Sequence, residues 1–213
     1  EMCIRDRMGT HRVPSVVVDF INEHSTIIVA GHKEPDGDCI GSSLALYHFL
    51  RRLGKTCVLL SSGPFKRSEI VQYEPFFSSS LPAEYRHREG VGVIIVDCAS
   101  VGRTGSIESE LVGFPTAIID HHATNEENNP VSFVDPSSPA ASLLVQDVIE
   151  EISGSVTREE AYFLLFGICT DTGFFRHLDE NSGDVFLHVA RLVSLGVSPK
   201  VVFAQMNGNK SFS

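Results

Sequence analysis

The sequence predicts an α/β protein in which a parallel β-sheet is sandwiched between helices. Short apolar runs rich in β-branched residues recur along the chain, and segments with helical periodicity separate them. Several of these runs end abruptly in aspartate or histidine. Strands that alternate with helices favour a parallel sheet covered on both faces, and such sheets bind ligands at the carboxyl ends of their strands.

The predicted elements follow this alternation along the chain. The predicted strands are apolar and suited to burial on both faces, and they lie at 26–31, 56–61, 91–100 and 115–122. The predicted helices carry apolar residues at helical spacing and lie at 13–24, 40–53, 139–153, 158–170 and 183–195. Gly54 and Thr157 are suitable helix-ending and helix-starting residues. The stretch 62–90 has mixed polarity, which is compatible with either helix or loop.

Composition narrows the classes of function. The chain has 213 residues with 17 basic and 27 acidic side chains, which gives a net charge of −10. A protein this acidic is not expected to bind long nucleic acids nonspecifically, so any phosphate chemistry should involve short substrates and bound cations. The five scattered cysteines contain no CxxC pair, which predicts reduced thiols, a cytoplasmic location and no zinc cluster. No apolar run approaches the length of a membrane span, so no membrane association is expected.

Candidate chemical groups follow four separate predicted elements. The turn HKEPDGD places His32, Asp36 and Asp38 after the first strand, and a solvated turn with an N-cap aspartate is the simpler alternative. Asp97 follows the apolar run VGVIIV, where it could instead cap a helix. Asp171 follows the apolar segment FLLFGIC, where a helix-terminal hydrogen bond is the alternative.

The tripeptide Asp120-His121-His122 ends another apolar strand. Because side chains alternate along a strand, Asp120 and His122 are expected to point one way and His121 the other. Gathering Asp36, Asp38, Asp97 and Asp171 at one site would raise their pKa values unless cations neutralise them. Oxygen-rich ligands with two histidines suit two divalent ions, with Mn²⁺ favoured and Mg²⁺ or Co²⁺ as alternatives.

The motifs HKEPDGD, VDCAS, DHH and TDTGFF, in this order and on these elements, resemble the four motifs of the DHH phosphoesterase superfamily. The plain type that acts as an oligoribonuclease and pAp phosphatase is the most similar, and the resemblance implies a Rossmann-like catalytic domain. It further implies that His32, Asp36 and Asp97 hold one ion, while Asp38, Asp97, His121 and Asp171 hold the other. A water activated by both ions would then attack phosphorus.

The remaining candidate residues have supporting roles in this interpretation. His122 would contact the phosphate or the leaving oxygen, and Asp120 would orient a histidine. Arg103 and Arg176, which lie a few residues beyond Asp97 and Asp171, could bind phosphate oxygens of the substrate. Phe174 and Phe175 could line a base-stacking wall, although core packing is the simpler interpretation.

The domain prediction has three parts. Residues 1–7 are interpreted as a non-native leader, residues 8–205 as the catalytic domain and residues 206–213 as the start of an interdomain linker. The resemblance implies a second, substrate-binding domain that this chain does not supply. The expected substrates are short oligoribonucleotides or 3′-phosphoadenosine 5′-phosphate. A manganese-dependent pyrophosphatase and a nucleotide-binding module without turnover remain alternatives, and a homodimer is left open.

Overall fold

The computed structural model describes residues 13–86, 88–123 and 129–207. The predicted leader at 1–7 lies outside these ranges, as do residues 208–213 of the predicted linker. The predicted linker start at 206 coincides with the last residue of a helix.

A five-stranded parallel sheet forms the centre of the molecule, with the strand order β2-β1-β3-β4-β5. The strands are β1 (Thr26–Ala30), β2 (Thr56–Leu60), β3 (Val91–Val96), β4 (Thr116–Asp120) and β5 (Ser132–Val134). Every residue of β1 and β3 is buried, as expected for apolar runs covered on both faces. The predicted α/β class and its parallel sheet are confirmed.

Seven α-helices accompany the sheet in the described part of the chain. They are α1 (Ser15–Glu23), α2 (Gly37–Arg52), α3 (Glu108–Leu111), α4 (Ala141–Ser153), α5 (Arg158–Asp171), α6 (Gly183–Ser194) and α7 (Pro199–Met206). Thr157 begins α5 with a capping box, in which its hydroxyl and the Glu160 carboxylate bond reciprocally to backbone amides. Gly54 adopts φ 79° just beyond α2, which explains the helix stop there.

Apolar side chains pack on both faces of the sheet. The larger layer contains residues from α1, α2 and α4 to α7, packed on strand residues such as Ile27 and Ile94. The smaller layer packs Ile107 and Leu111 against the opposite face, including Ile28 and Ile95. Both faces of the sheet are therefore covered by apolar layers, and polar groups can gather at the ends of its strands.

Helix α2 approaches α5 closely because two glycines lie at their contact. A Cβ atom at Gly41 would lie 2.6 Å from the Phe163 carbonyl oxygen, and one at Gly167 would lie 2.0 Å from Ser142 Oγ. The same Cβ at Gly167 would lie 2.8 Å from Asp38 Oδ1. These glycines therefore bring the beginning of α2, the beginning of α4 and the end of α5 to one place.

No single helix among the described residues is long and apolar enough to cross a membrane. Only α6 and α7 together have the length and composition of a span, and they are bent by 106° relative to each other.

Candidate metal centre

Polar side chains from several segments meet at the carboxyl edge of the sheet. Strands β1, β3 and β4 end at residues 30, 96 and 120, and a cavity of about 550 Å³ lies beyond them. The cavity is lined by His32, Lys33, Asp36, Asp97, Cys98, Gly102, Arg103, Gly105, His121, His122 and Asp171. Seven of the ten residues singled out from the sequence are in this lining, and Asp38, Asp120 and Arg176 are not.

Asp36 is both a helix cap and a wall of the cavity. Its Oδ1 accepts hydrogen bonds from the backbone amides of Asp38 and Cys39, each at 3.1 Å, which begins α2. His32 Nε2 lies 3.9 Å from the same oxygen. The N-cap interpretation is therefore correct for Asp36, and it does not remove this carboxylate from the cavity.

Asp38 points away from the open cavity and towards the beginning of α4. Its Oδ2 accepts a hydrogen bond from the Ala141 amide at 2.6 Å, and its Oδ1 accepts from the amide and hydroxyl of Ser142. These bonds satisfy N–H groups at the beginning of α4 that have no partner within the helix. Asp38 Oδ2 also lies 4.0 Å from His121 Nε2, so this carboxylate is next to the candidate metal ligands although it does not line the cavity.

Asp97 lies between two histidines. Its Oδ2 is 3.6 Å from His32 Nε2, and its Oδ1 is 3.3 Å from His121 Nε2. Asp97 is 2% exposed and has φ 51°, a left-handed conformation that is unfavourable for residues other than glycine. Such strain is typical of residues whose side-chain position matters for function.

The hydrogen bonds of His32 and His121 determine which ring nitrogens face the carboxylates. His32 Nδ1 lies 2.8 Å from the Lys33 carbonyl oxygen, and His121 Nδ1 lies 3.1 Å from that of Ser138. Because a carbonyl only accepts, each Nδ1 carries the hydrogen, and the Nε2 lone pairs face the carboxylates. A lone pair and a carboxylate repel each other at such distances unless a proton or a cation lies between them. This arrangement fits a metal centre.

The pKa values of several histidines and aspartates in this cluster are shifted by burial and by the neighbouring charged groups. Burial lowers the pKa of His32, but contacts with Asp36 and Asp97 outweigh burial and raise it to about 10. Burial also lowers the pKa of His121, while Asp97 and Asp38 raise it to about 9. Burial and neighbouring carboxylates raise the pKa values of Asp38 and Asp171. The centre therefore retains protons at neutral pH that a divalent cation would displace.

Among the residues that the structure describes, three sets of side chains each have potential ligand atoms within 4.8 Å of one another. They are His32–Cys39–Asp97, Asp97–His121–His122 and Asp38–His121–Asp171. Asp97 belongs to the first two sets and His121 to the last two. The sets therefore overlap, as expected when neighbouring ions share ligands. Cys39 was not predicted from the sequence. Burial raises the pKa of its thiol well above the usual range, which disfavours the thiolate that a metal requires.

We expect Mn²⁺ to stabilise the protein more at pH 8.0 than at pH 6.0. Protons on His32 and His121 compete with the ion, and raising the pH towards their pKa values of about 10 and about 9 weakens this competition. Affinity should rise by up to about tenfold per pH unit for each proton displaced. Thermal unfolding with and without Mn²⁺ at both pH values measures the effect. Equal shifts in melting temperature at the two pH values would contradict this account.

His122 and Asp120 form a hydrogen-bonded pair beside the centre. His122 Nδ1 lies 2.7 Å from Asp120 Oδ1, which also accepts from the His121 amide at 2.9 Å. The hydrogen bond to Asp120 raises the pKa of His122. The expectation that His121 and His122 point in opposite directions is wrong, because β4 ends at Asp120 and both rings line the cavity. Strand alternation does not extend into the loop.

The two arginines occupy different positions. Arg103 lines the cavity, whereas Arg176 Nε donates a hydrogen bond to the Gly173 carbonyl at 2.9 Å and lies outside the lining. Between Asp171 and Arg176 the chain takes three successive left-handed residues, from Gly173 to Phe175. This turn directs Phe174 onto Phe203 and Phe175 onto Phe186, so both rings pack against helices.

The fold and the site together define a parallel α/β protein with a cluster of metal-ligand side chains at the carboxyl edge of its sheet. The family model for the DHH family, N-terminal domain, matches residues 26–168. The chain belongs to this family.

Comparisons with individual proteins agree with this assignment. The chain is 34% identical over 175 residues to the bifunctional oligoribonuclease and PAP phosphatase NrnA of Thermus thermophilus, covering 80% of this chain and 50% of the relative. It is 28% identical over 180 residues to a probable manganese-dependent inorganic pyrophosphatase of Streptococcus thermophilus, covering 81% and 57%. An exopolyphosphatase-related protein from Bacteroides fragilis has the same fold, with a TM-score of 0.80 and 22% identity, covering 95% of this chain and 63% of that protein. The chain thus spans about half the length of the curated relatives it matches.

Proposed function

We propose that this chain carries the catalytic domain of a metal-dependent phosphoesterase that hydrolyses short oligoribonucleotides, 3′-phosphoadenosine 5′-phosphate or both. The proposal rests on the convergence of carboxylates on the Nε2 atoms of His32 and His121, whose Nδ1 atoms face carbonyl oxygens. The name of the Thermus thermophilus relative, at 34% identity, supports the same substrate class.

The proposed ligands divide between two ions. His32, Asp36 and Asp97 would hold one ion, and Asp38, Asp97, His121 and Asp171 would hold the other. Four carboxylates balance the charge of two divalent ions, and oxygen and imidazole donors suit Mn²⁺, with Mg²⁺ and Co²⁺ as alternatives. When bound, such ions acidify an attacking water and neutralise charge on the phosphate oxygens.

The other polar residues would act directly on the substrate. The Nδ1 atom of His122 is hydrogen-bonded to Asp120, so Nε2 on the opposite side of the ring is available to the substrate. This Nε2 would contact the phosphate or donate a proton to the leaving oxygen. Asp120 orients the ring. Arg103 would bind a phosphate oxygen from the cavity wall, and Arg176 would have to leave the Gly173 carbonyl to do the same.

The proposal also concerns the length of the substrate and the location of the protein in the cell. A net charge of −10 opposes binding of long nucleic acids, so positive charge near the cavity should attract only short phosphorylated ligands. We also propose a cytoplasmic location, because Cys39, Cys57, Cys98 and Cys169 are free thiols.

An inorganic pyrophosphatase is the second candidate function. The 28% identity to a probable manganese-dependent inorganic pyrophosphatase favours it, although the similarity to NrnA is higher. The same ligand cluster could serve either reaction, so the choice depends on the substrate.

A substrate panel tests the proposal. The chain is incubated with Mn²⁺ and with di- to pentaribonucleotides, 3′-phosphoadenosine 5′-phosphate, pyrophosphate and a long single-stranded RNA. We expect hydrolysis of the short oligonucleotides or the bisphosphate, and little of the long RNA. Consumption of pyrophosphate alone would establish the second candidate instead. Binding of Mn²⁺ without hydrolysis of any substrate would leave a nucleotide-binding module.

A further inference from the structure

Two basic side chains on the cavity wall have backbones that are bonded to each other. Lys33 and Arg103 both line the cavity, and the Lys33 amide donates a hydrogen bond to the Arg103 carbonyl at 3.0 Å. The loop after β1 is thereby fixed to the loop after β3. A Cβ at Gly105, which has φ 76°, would lie 2.9 Å from Lys33 Cβ, so the two loops are in close contact.

Neither of these basic groups forms an ion pair with an acidic residue in the described part of the chain. Within residues 13–86, 88–123 and 129–207, neither the Lys33 ammonium nor the Arg103 guanidinium has an ion-pair or hydrogen-bond partner. Nearby basic residues differ, since Lys66 pairs with Glu34 at 2.7 Å and Arg67 lies 3.9 Å from Asp36. Lys33 and Arg103 are thus two solvent-exposed cations that share a cavity with three aspartates and remain available to an anion.

We propose that Lys33 and Arg103 form a binding site for a second phosphate group of the substrate, separate from the phosphate that is hydrolysed. This inference rests on the proposed function and narrows its substrate class to nucleotides that carry two phosphates. Arginine supplies a planar, bidentate contact, and lysine supplies a mobile point charge. The carboxylate-rich part of the cavity would hold the ions and the phosphate that is hydrolysed, which leaves the Lys33 side for the second phosphate.

The test compares a bisphosphate with its single-phosphate counterpart. Hydrolysis of 3′-phosphoadenosine 5′-phosphate and of adenosine 3′-monophosphate is measured with Mn²⁺ for the unmodified chain, Lys33→Ala, Lys33→Arg and the control Lys66→Ala. We expect Lys33→Ala to raise KM for the bisphosphate about tenfold while kcat stays unchanged. KM for the monophosphate should not change, Lys33→Arg should restore most of the loss, and Lys66→Ala should behave like the unmodified chain.

The result that overturns the inference is distinct from the failure of the proposed function. An equal rise in KM for both substrates, or no rise for either, shows that Lys33 does not bind a second phosphate, while the phosphoesterase assignment stands. If no phosphoester is hydrolysed, the proposed function fails. Equilibrium binding of the same two nucleotides by calorimetry still decides the inference, because Lys33→Ala must weaken binding of the bisphosphate alone.

Discussion

Replacing Asp97 with asparagine should abolish phosphoester hydrolysis, with a loss in kcat on the order of 10³-fold or more. The variant preserves the shape of a side chain that is 2% exposed, but it removes the negative charge between His32 and His121. In the proposed division of ligands Asp97 is assigned to both ions, so its loss should weaken the binding of both. Steady-state kinetics on the most active substrate of the panel measures the effect.

A binding measurement separates loss of metal from loss of fold. The melting temperature of the unmodified chain should rise with Mn²⁺, whereas that of Asp97→Asn should rise little or not at all. Asp19→Asn is a suitable control, because Asp19 is exposed on α1, away from the cavity. An Asp97→Asn protein that remained folded, bound two ions and retained activity would remove Asp97 from the proposed centre.

The sequence was sufficient to predict the elements whose pattern is strong. Strands β1, β3 and β4 are apolar runs in the middle of the sheet, where burial on both faces leaves an unambiguous pattern, and β2 is a similar apolar run at the sheet edge. Strand β5 was not predicted because it has only three residues, Ser132–Val134, at the edge of the sheet. Helix α7 was not predicted either, since Val201 and Phe203 leave part of its apolar surface exposed and blur the amphipathic pattern.

The sequence was also sufficient to predict that the site residues lie close together, but not the direction in which each side chain points. Parallel strands end at one edge, which is sufficient to bring His32, Asp97 and His121 together. The different directions of Asp36 and Asp38 depend on tertiary contacts, because Asp36 caps its own helix while Asp38 caps α4, about a hundred residues away. Local sequence contains no information about such a partner. The helix-cap and metal-ligand interpretations are therefore compatible for both residues.

A buried pair away from the cavity should have the largest effect on stability. His188 Nε2 on α6 lies 2.9 Å from Asp147 Oδ1 on α4, and the two residues are 2% and 3% exposed. His188 Nδ1 lies 2.8 Å from the Asp184 carbonyl oxygen. Each ring nitrogen of His188 therefore lies within hydrogen-bond distance of an oxygen, and Asp147 supplies the side-chain partner.

Asp147→Ala should therefore lower the free energy of unfolding by about 1–3 kcal/mol, because it leaves the buried Nε2 of His188 without its hydrogen-bond partner. Urea denaturation measures the loss. The double variant Asp147→Leu/His188→Leu should recover much of it, since removing both polar partners also removes the cost of burying them. The partly exposed pair His48–Glu159, at 3.2 Å, is the control, and Glu159→Ala should cost less than about 1 kcal/mol. If Asp147→Ala costs no more than Glu159→Ala, the buried hydrogen bond adds no more to stability than a surface contact does, and α4 and α6 are held together by apolar packing alone.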